Sequence, residues 1–302
     1  MNDHDGLTYV YAAAPDTRRL RSELLGVRGV SGAPVSLLGL LGESESQSDD
    51  VPGSTPRTSG TEDAVAFVIS RVAPHEFDER ALKQRFEDLE WLEGVARAHN
   101  EVVQTIARHD TVLPLRLATV YQNDDRARRA LVAQRHAFAE RIDLLRGQSE
   151  FGVKLYVTAA TPSEETRDDA AAGSGDTAAL SPGKAYLRRR RAQHTAQESR
   201  YLQAQQAAER IDALAARFTP HCVRHPAQRG ALAGPDENVL NDAYLVPDDQ
   251  ADAFRAAVTA AAQDIDGVRI DVTGPWAPYS FAMPAPEPPS LPPDEDRDGR
   301  VP

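Results

Sequence analysis

Apolar residues alternate with polar ones, or bunch into short runs, at 7–13, 35–41, 64–72 and 112–121, and these segments predict strands. Between the third and fourth the period lengthens. Leu92, Val95, His99, Val102 and Ile106 recur at three- or four-residue steps, which predicts a helix over 91–109 with those side chains inward. Leu82, Phe86 and Leu89 mark a helix near 76–89. Another spans 123–146, with Asn123 or Asp124 as its N-cap and Gly147 as its stop.

The second half opens with a strand at 151–158, followed by a helix over about 183–217 that Pro182 and Gly183 introduce. Strands follow near 220–226 and at 239–246. A helix at 248–264 takes Asp248 or Asp249 as its cap and Phe254, Val258, Ala261 and Ile265 as its inner stripe, and a last strand runs 268–273. The order β-α-β-β-α-β is that of the ferredoxin-like split unit, an antiparallel sheet with helices on one face. The long helix carries a narrow, alanine-rich stripe of Leu187, His194, Tyr201, Ala208, Ile211, Ala215 and Phe218. At about 1.5 Å per residue it outreaches the sheet it covers, so part of it projects.

Three segments interrupt this pattern. Residues 42–62, 160–181 and 284–302 are rich in Ser, Asp, Glu, Gly and Pro and hold few bulky apolar residues, too little to offset the entropy of ordering them. The fold class expected is α+β in two domains: an N-terminal α+β domain over 1–147 with a polar insertion at 42–62, and a C-terminal ferredoxin-like domain over 148–283 with a polar linker at 160–181. A disordered Pro-rich, acidic tail occupies 284–302.

Composition narrows the classes of function. Among 302 residues, 34 basic against 46 acidic side chains leave a net charge of −12, which argues for solubility and against nucleic acid as a partner. Cys222, the single cysteine, rules out an internal disulfide framework and suits a reducing compartment. The apolar run Leu7–Ala14 follows Asp3 and Asp5 rather than Lys or Arg, so it reads as a strand and not a signal peptide. No uncharged apolar run approaches the roughly 18 residues of a membrane span. A cytoplasmic protein is expected.

The chain offers little chemistry. Ser181-Pro182-Gly183-Lys184 resembles only the end of a phosphate loop, with Ala178 where its first glycine belongs. The Gly26, Gly29, Gly32 series has neither the spacing nor the placement of a dinucleotide fingerprint. His221, Cys222 and His225 have metal-like spacing, but Cys222 points away from the histidines on an extended segment and no fourth ligand lies near. His99 on an inner stripe reads as a hydrogen-bonded core histidine. Neither a catalytic residue, nor a cofactor, nor a metal is expected. The Arg188, Arg189, Arg190, Arg191 run wraps around its helix. It reads as a solvated surface or, more sharply, as a dock for an acidic protein surface.

Residues 273–281, Thr-Gly-Pro-Trp-Ala-Pro-Tyr-Ser-Phe, are too proline-rich for a helix or a central strand. Trp276, Tyr279 and Phe281 then either clamp the chain end over the sheet or the domain junction, the favoured use, or meet a partner.

Seven segments in order resemble the gas vesicle protein GvpL/GvpF family. They are Leu7-Thr8-Tyr9-Val10-Tyr11, Trp91-Leu92 with Ala98-His99-Asn100-Glu101-Val102-Val103, and Val112-Leu113-Pro114-Leu115-Arg116. Glu150-Phe151-Gly152-Val153-Lys154, Gly183-Lys184-Ala185-Tyr186-Leu187, Asn241-Asp242-Ala243-Tyr244-Leu245-Val246 and the closing nonapeptide complete the set. The chain departs from the family pattern at Leu117 and Ala118, where an aromatic and a glycine are common, and at Ala277, where a second proline is common. The resemblance implies a non-catalytic accessory or minor structural protein of gas vesicles, the gas-filled shells that give cells buoyancy. Its implied partners are the hydrophobic shell protein and other gas vesicle accessory proteins, and its implied place is the cytoplasm, at the vesicle. The rival reading is a ferredoxin-like small-ligand sensor or enzyme with a pocket near His99, Glu101 and Arg116. Branch within the family and oligomeric state stay open.

Overall fold

The computed structural model describes residues 6–40, 64–158, 182–228 and 236–282. The polar segments 42–62 and 160–181 and the tail 284–302 lie outside the described residues.

Strands β1 (Leu7–Pro15), β2 (Ser36–Leu38), β3 (Val65–Val72) and β4 (Leu113–Tyr121) form an antiparallel sheet in the order β2-β3-β1-β4. β1 is central and buried on both faces, which requires apolar residues at nearly every position, and Tyr-Val-Tyr-Ala-Ala-Ala supplies them. Its register shifts between Val10 and Ala12 against both neighbours. That extra residue reverses the alternation. Tyr9 and Tyr11 are joined on their face by Ala12 and Ala14, while Val10 is joined on the other by Ala13.

Helix α1 (Arg18–Glu23) starts where Thr17 Oγ1 accepts the Leu20 N–H, and at six residues it is too short to show a period in sequence. The helix expected over 76–89 is two, α2 (Pro74–Phe77) and α3 (Glu79–Arg85). Asp78 separates them because its extended backbone ends one helix while its carboxylate caps the next, accepting the Ala81 N–H at 2.7 Å. Asp88 likewise caps α4 (Leu89–Ala107), and Asn123 caps α5 (Asp124–Leu145) by accepting the Arg126 N–H at 3.0 Å. α4 lays Val95, His99, Val102, Val103 and Ile106 on the Tyr9 face, whereas α5 lays Ala127, Leu131, Phe138 and Ile142 on the Val10 face.

In β4, Ala118 has φ 61°, a left-handed conformation in which a Cβ is strained, and its N–H is held by Tyr9 Oη at 3.1 Å. This is the position where the resembled family commonly carries glycine. Ala118→Gly is expected to raise stability by about 1 kcal/mol, read as a higher urea midpoint at an unchanged slope.

The second sheet contains β5 (Gln148–Val157), β6 (Cys222–Arg224), β7 (Glu237–Pro247) and β8 (Val268–Trp276), all antiparallel in the order β6-β7-β5-β8. Helix α6 (Pro182–Ala215) connects β5 to β6, and α7 (Ala251–Ala260) connects β7 to β8. α7 begins later than expected because Asp248–Gln250 form a 3-10 turn ahead of it. Phe151, Val153, Leu155, Ile211, Tyr244, Phe254 and Val258 fill the core between this sheet and its helices.

β8 runs past the expected end at 273, taking in Thr273 to Trp276. It is an edge strand paired only with β5, so Pro275 removes no ladder bond that the sheet needs. After Pro278 the chain turns into a short helix, α8 (Tyr279–Ala282), where only an irregular segment is expected from the prolines. The prolines stop at its entrance, a position that tolerates a missing N–H.

Candidate functional site

The closing segment binds the two halves together. Ala277 is buried in the apolar cluster on the α4 side of the first sheet, and Phe281 in the cluster on the α5 side. α8 packs against β4, so the segment passes round that sheet's otherwise open edge. The Phe281 cluster also holds Ala243 and Leu245 from β7, which makes it a core shared by both sheets. The three aromatics divide: Phe281 is 7% exposed, Tyr279 39% and Trp276 50%. Closure falls to Phe281 with Ala277, and Trp276 faces outward.

Glu150 at the start of β5 fixes α8 in place. Its carboxylate accepts the Ser280 N–H at 2.8 Å and the Ser280 hydroxyl at 2.7 Å, and His225 Nε2 lies 3.0 Å from the same hydroxyl oxygen. Burial raises the Glu150 pKa, while the Ser280 bonds and the His225 charge pull it down. A nucleophilic serine passes its proton to an imidazole that a carboxylate orients from behind. Here the carboxylate takes the serine proton bond itself and the imidazole is left to donate. The arrangement is a latch. Gly274 lets β8 approach it: its φ is 122°, and a Cβ there would lie 2.7 Å from the Glu150 carbonyl oxygen.

His99, Glu101 and Arg116 do not form a pocket. His99 is 2% exposed, whereas Glu101 and Arg116 are exposed, and two helical steps put Glu101 on the opposite side of α4 from His99. The His99 ring sits among Tyr9, Tyr11 and Tyr279, and its Nδ1 lies 3.0 Å from Tyr9 Oη. Tyr9 Oη accepts the Ala118 N–H and shares a second hydrogen bond with His99 Nδ1, whose direction follows the imidazole tautomer. The His99 Nε2 makes no hydrogen bond of normal geometry with a described residue, the Leu115 backbone being the polar group that acts on the ring. Burial drives the His99 pKa down to about 4, with the Leu115 backbone opposing it in part.

A cleft of about 370 Å³ opens beside the latch, lined by Arg108, His109, Arg146, Ser149, Asp248 and Trp276 among others. Arg108 and Arg146 are the C-terminal caps of α4 and α5, and the Arg146 guanidinium donates to Asp143 at 2.8 Å. Ser149 donates to Asp248 at 2.6 Å, which ties β5 to the turn before α7. Trp276 is thus an aromatic wall at the mouth of a polar cleft.

On α6, Arg188, Arg190 and Arg191 are exposed, and the Arg189 side chain lies outside the described set. Tyr201 is 37% exposed and donates its hydroxyl to Glu237. These residues stand apart from the closing segment's latch. Sequence reading missed Glu150, Ser280 and His225 as partners because 130 residues separate Glu150 from Ser280 and 55 separate His225 from Ser280. The β5–β8 pairing brings Ser280 to Glu150, and the β6–β7 and β7–β5 pairings bring His225.

Comparison with known proteins places this architecture. The family described as "Gas vesicle synthesis protein GvpL/GvpF" matches residues 7–283, from the first strand through the closing helix. The chain belongs to the GvpL/GvpF family. It is 36% identical over 233 residues to gas vesicle protein L of Streptomyces sp. (strain CB03234), a match covering 77% of this chain and 85% of that one. It is 26% identical over 198 residues to gas vesicle protein F2 of Halobacterium salinarum, covering 64% and 70%. The crystal structure of GvpF from Anabaena sp. PCC7120 shares the fold with a TM-score of 0.57 at 17% identity, over 93% of this chain and 99% of that one. GvpF from Microcystis aeruginosa gives 0.54 at 19% identity, over 92% and 99%. Membership in GvpL/GvpF supports a gas vesicle role. Among the described residues, no helix is long and apolar enough to cross a membrane.

Proposed function

We propose that this GvpL/GvpF chain is a non-catalytic accessory or minor structural protein that works in the cytoplasm and holds hydrophobic shell subunits until they enter a growing vesicle. The observation that carries the reading is the family match across residues 7–283, which takes in both sheets and the closing segment. The latch supports it, since the grouping most like a catalytic set spends its polar atoms on structure. In this reading residues 1–147 and 148–283 are two domains, the second ferredoxin-like, joined through the shared Phe281 cluster. A net charge of −12 keeps a complex with an apolar client in solution. Client contact belongs on outward features, namely Trp276 at the cleft, the long helix, or the β8 edge, because α8 covers the edge of β4.

Deleting the gene in its host and scoring buoyant vesicles tests the role, with complementation by the wild-type chain and by Trp276→Ala. Loss of vesicles restored by the wild-type chain is expected, together with co-purification of the shell subunit. Trp276→Ala is expected to keep the fold and to weaken that co-purification. Normal vesicles in the deletion strain, combined with no shell subunit on the purified protein, overturn the reading.

A further inference from the structure

Helix α6 is 34 residues long, about 51 Å. Its buried residues are Ala204, Ala207, Ile211 and Ala215, all in the C-terminal part that seats on the second sheet. From Lys184 to Ser199 no described side chain is buried, and the first to reach the sheet are Arg200, beside Gly267, and Tyr201, bonded to Glu237, so about 24 Å of helix stands clear of it. Apolar side chains are exposed along it: Tyr186 at 61%, Leu187 at 59%, Tyr201 at 37% and Leu202 at 62%. Leu187, His194 and Tyr201 are seven residues apart, and Ala208 and Ala215 continue the series into the seated part. The series supplies one seam position per heptad and drifts about 20° each time, so it winds from the seated face onto an exposed flank of the projecting stretch, with Tyr186 beside it.

The same stretch is basic within an acidic chain. Lys184, Arg188, Arg190 and Arg191 are exposed and form no ion pair with a described residue. The one acid between Lys184 and Gln203 is Glu198, which His194 approaches at 3.3 Å. Screening confines the field of the described acidic body to about 8 Å at physiological salt.

We propose that the projecting half of α6 is a docking arm for an acidic amphipathic helix of a partner protein. Charge complementarity and the continuing seam select this occupant. A second copy of the arm would set one basic run against another. A bilayer would need a broad apolar face, and the seam here is about one residue wide. Nucleic acid would meet the arginines and leave Leu187 and Leu202 uncovered. The proposal rests on the assembly reading for where such a partner is found, but its test does not.

The probe is a labelled synthetic helix of about four heptads with Leu at its seam and Glu at the flanking positions, titrated with the full-length protein by fluorescence anisotropy. A Lys-flanked counterpart, anionic phosphatidylserine vesicles and an RNA oligomer are run beside it. The expected result is binding of the Glu-flanked peptide only, weakening with salt. The triple variant Arg188→Glu, Arg190→Glu, Arg191→Glu, and separately Leu187→Ser, should each lower affinity about tenfold or more without moving the melting temperature, since these side chains touch no core. Absence of Glu-peptide binding, binding that survives charge reversal, or tighter capture of vesicles or RNA overturns the proposal. Peptide binding by a chain that never associates with vesicles would overturn the assembly reading and leave the arm standing.

Discussion

Phe281→Ala is expected to lower the free energy of unfolding by about 3–4 kcal/mol, the usual loss when a buried phenylalanine is truncated and its site only partly collapses. The side chain is 7% exposed in a cluster that takes Val10, Phe67 and Leu113 from the first sheet, Phe138 from α5 and Leu245 from the second. Its removal therefore opens a void between the sheets rather than within one of them. A urea titration with matched far-UV and near-UV signals measures the loss. Hydrogen exchange at the Ser280 amide shows whether α8 detaches first, because that amide is protected by Glu150. Trp276→Ala, at 50% exposure, should cost well under half as much. Equal losses at the two positions would remove the division between a sealing residue and an outward one.

Stability should also fall on mild acidification through His99. Its pKa in the fold is about 4, below the 6.5 of a free imidazole. Between those values the unfolded chain binds a proton that the folded chain refuses. The penalty begins as pH drops through 6.5, grows to about 2–3 kcal/mol near pH 4.5, and levels off below pH 4. Carboxylates titrate in the same range, so the useful quantity is the difference between wild type and His99→Gln at each pH. That difference should narrow by about 2–3 kcal/mol in favour of the variant from pH 7 to pH 4.5. A constant difference would mean that the buried imidazole charges freely.

Much of the layering was legible in the sequence. The period of Val95, His99, Val102 and Ile106 fixed both the existence of α4 and its inward face, and it placed His99 correctly among core residues. What the pattern could not carry was pairing at a distance. β1 reads as one apolar run, and nothing in it reveals that the register shift near Tyr11 sorts its side chains into two separate cores. The prolines of the closing segment exclude a central strand or a helix interior, but not an edge strand followed by a turn of helix, and that is the solution found. His99, Glu101 and Arg116 looked like a convergent group because they are near in sequence or motif. Helical rotation sends Glu101 to solvent while burial removes His99 from it. The actual polar cluster, Glu150 with Ser280 and His225, joins residues that share no motif and lie far apart in the chain, so nothing in the sequence linked them.

The wrap of the closing segment round β4 sets an order of events during synthesis. A ribosome delivers β1, the centre of the first sheet, before any other element, yet the residues that seal both faces of that sheet's edge are Ala277 and Phe281. All eight described strands must have emerged before that edge is closed. Until then a nascent chain offers the row of unpaired groups along β4 to whatever is nearby, and translation itself withholds the final cover until the second sheet has been made.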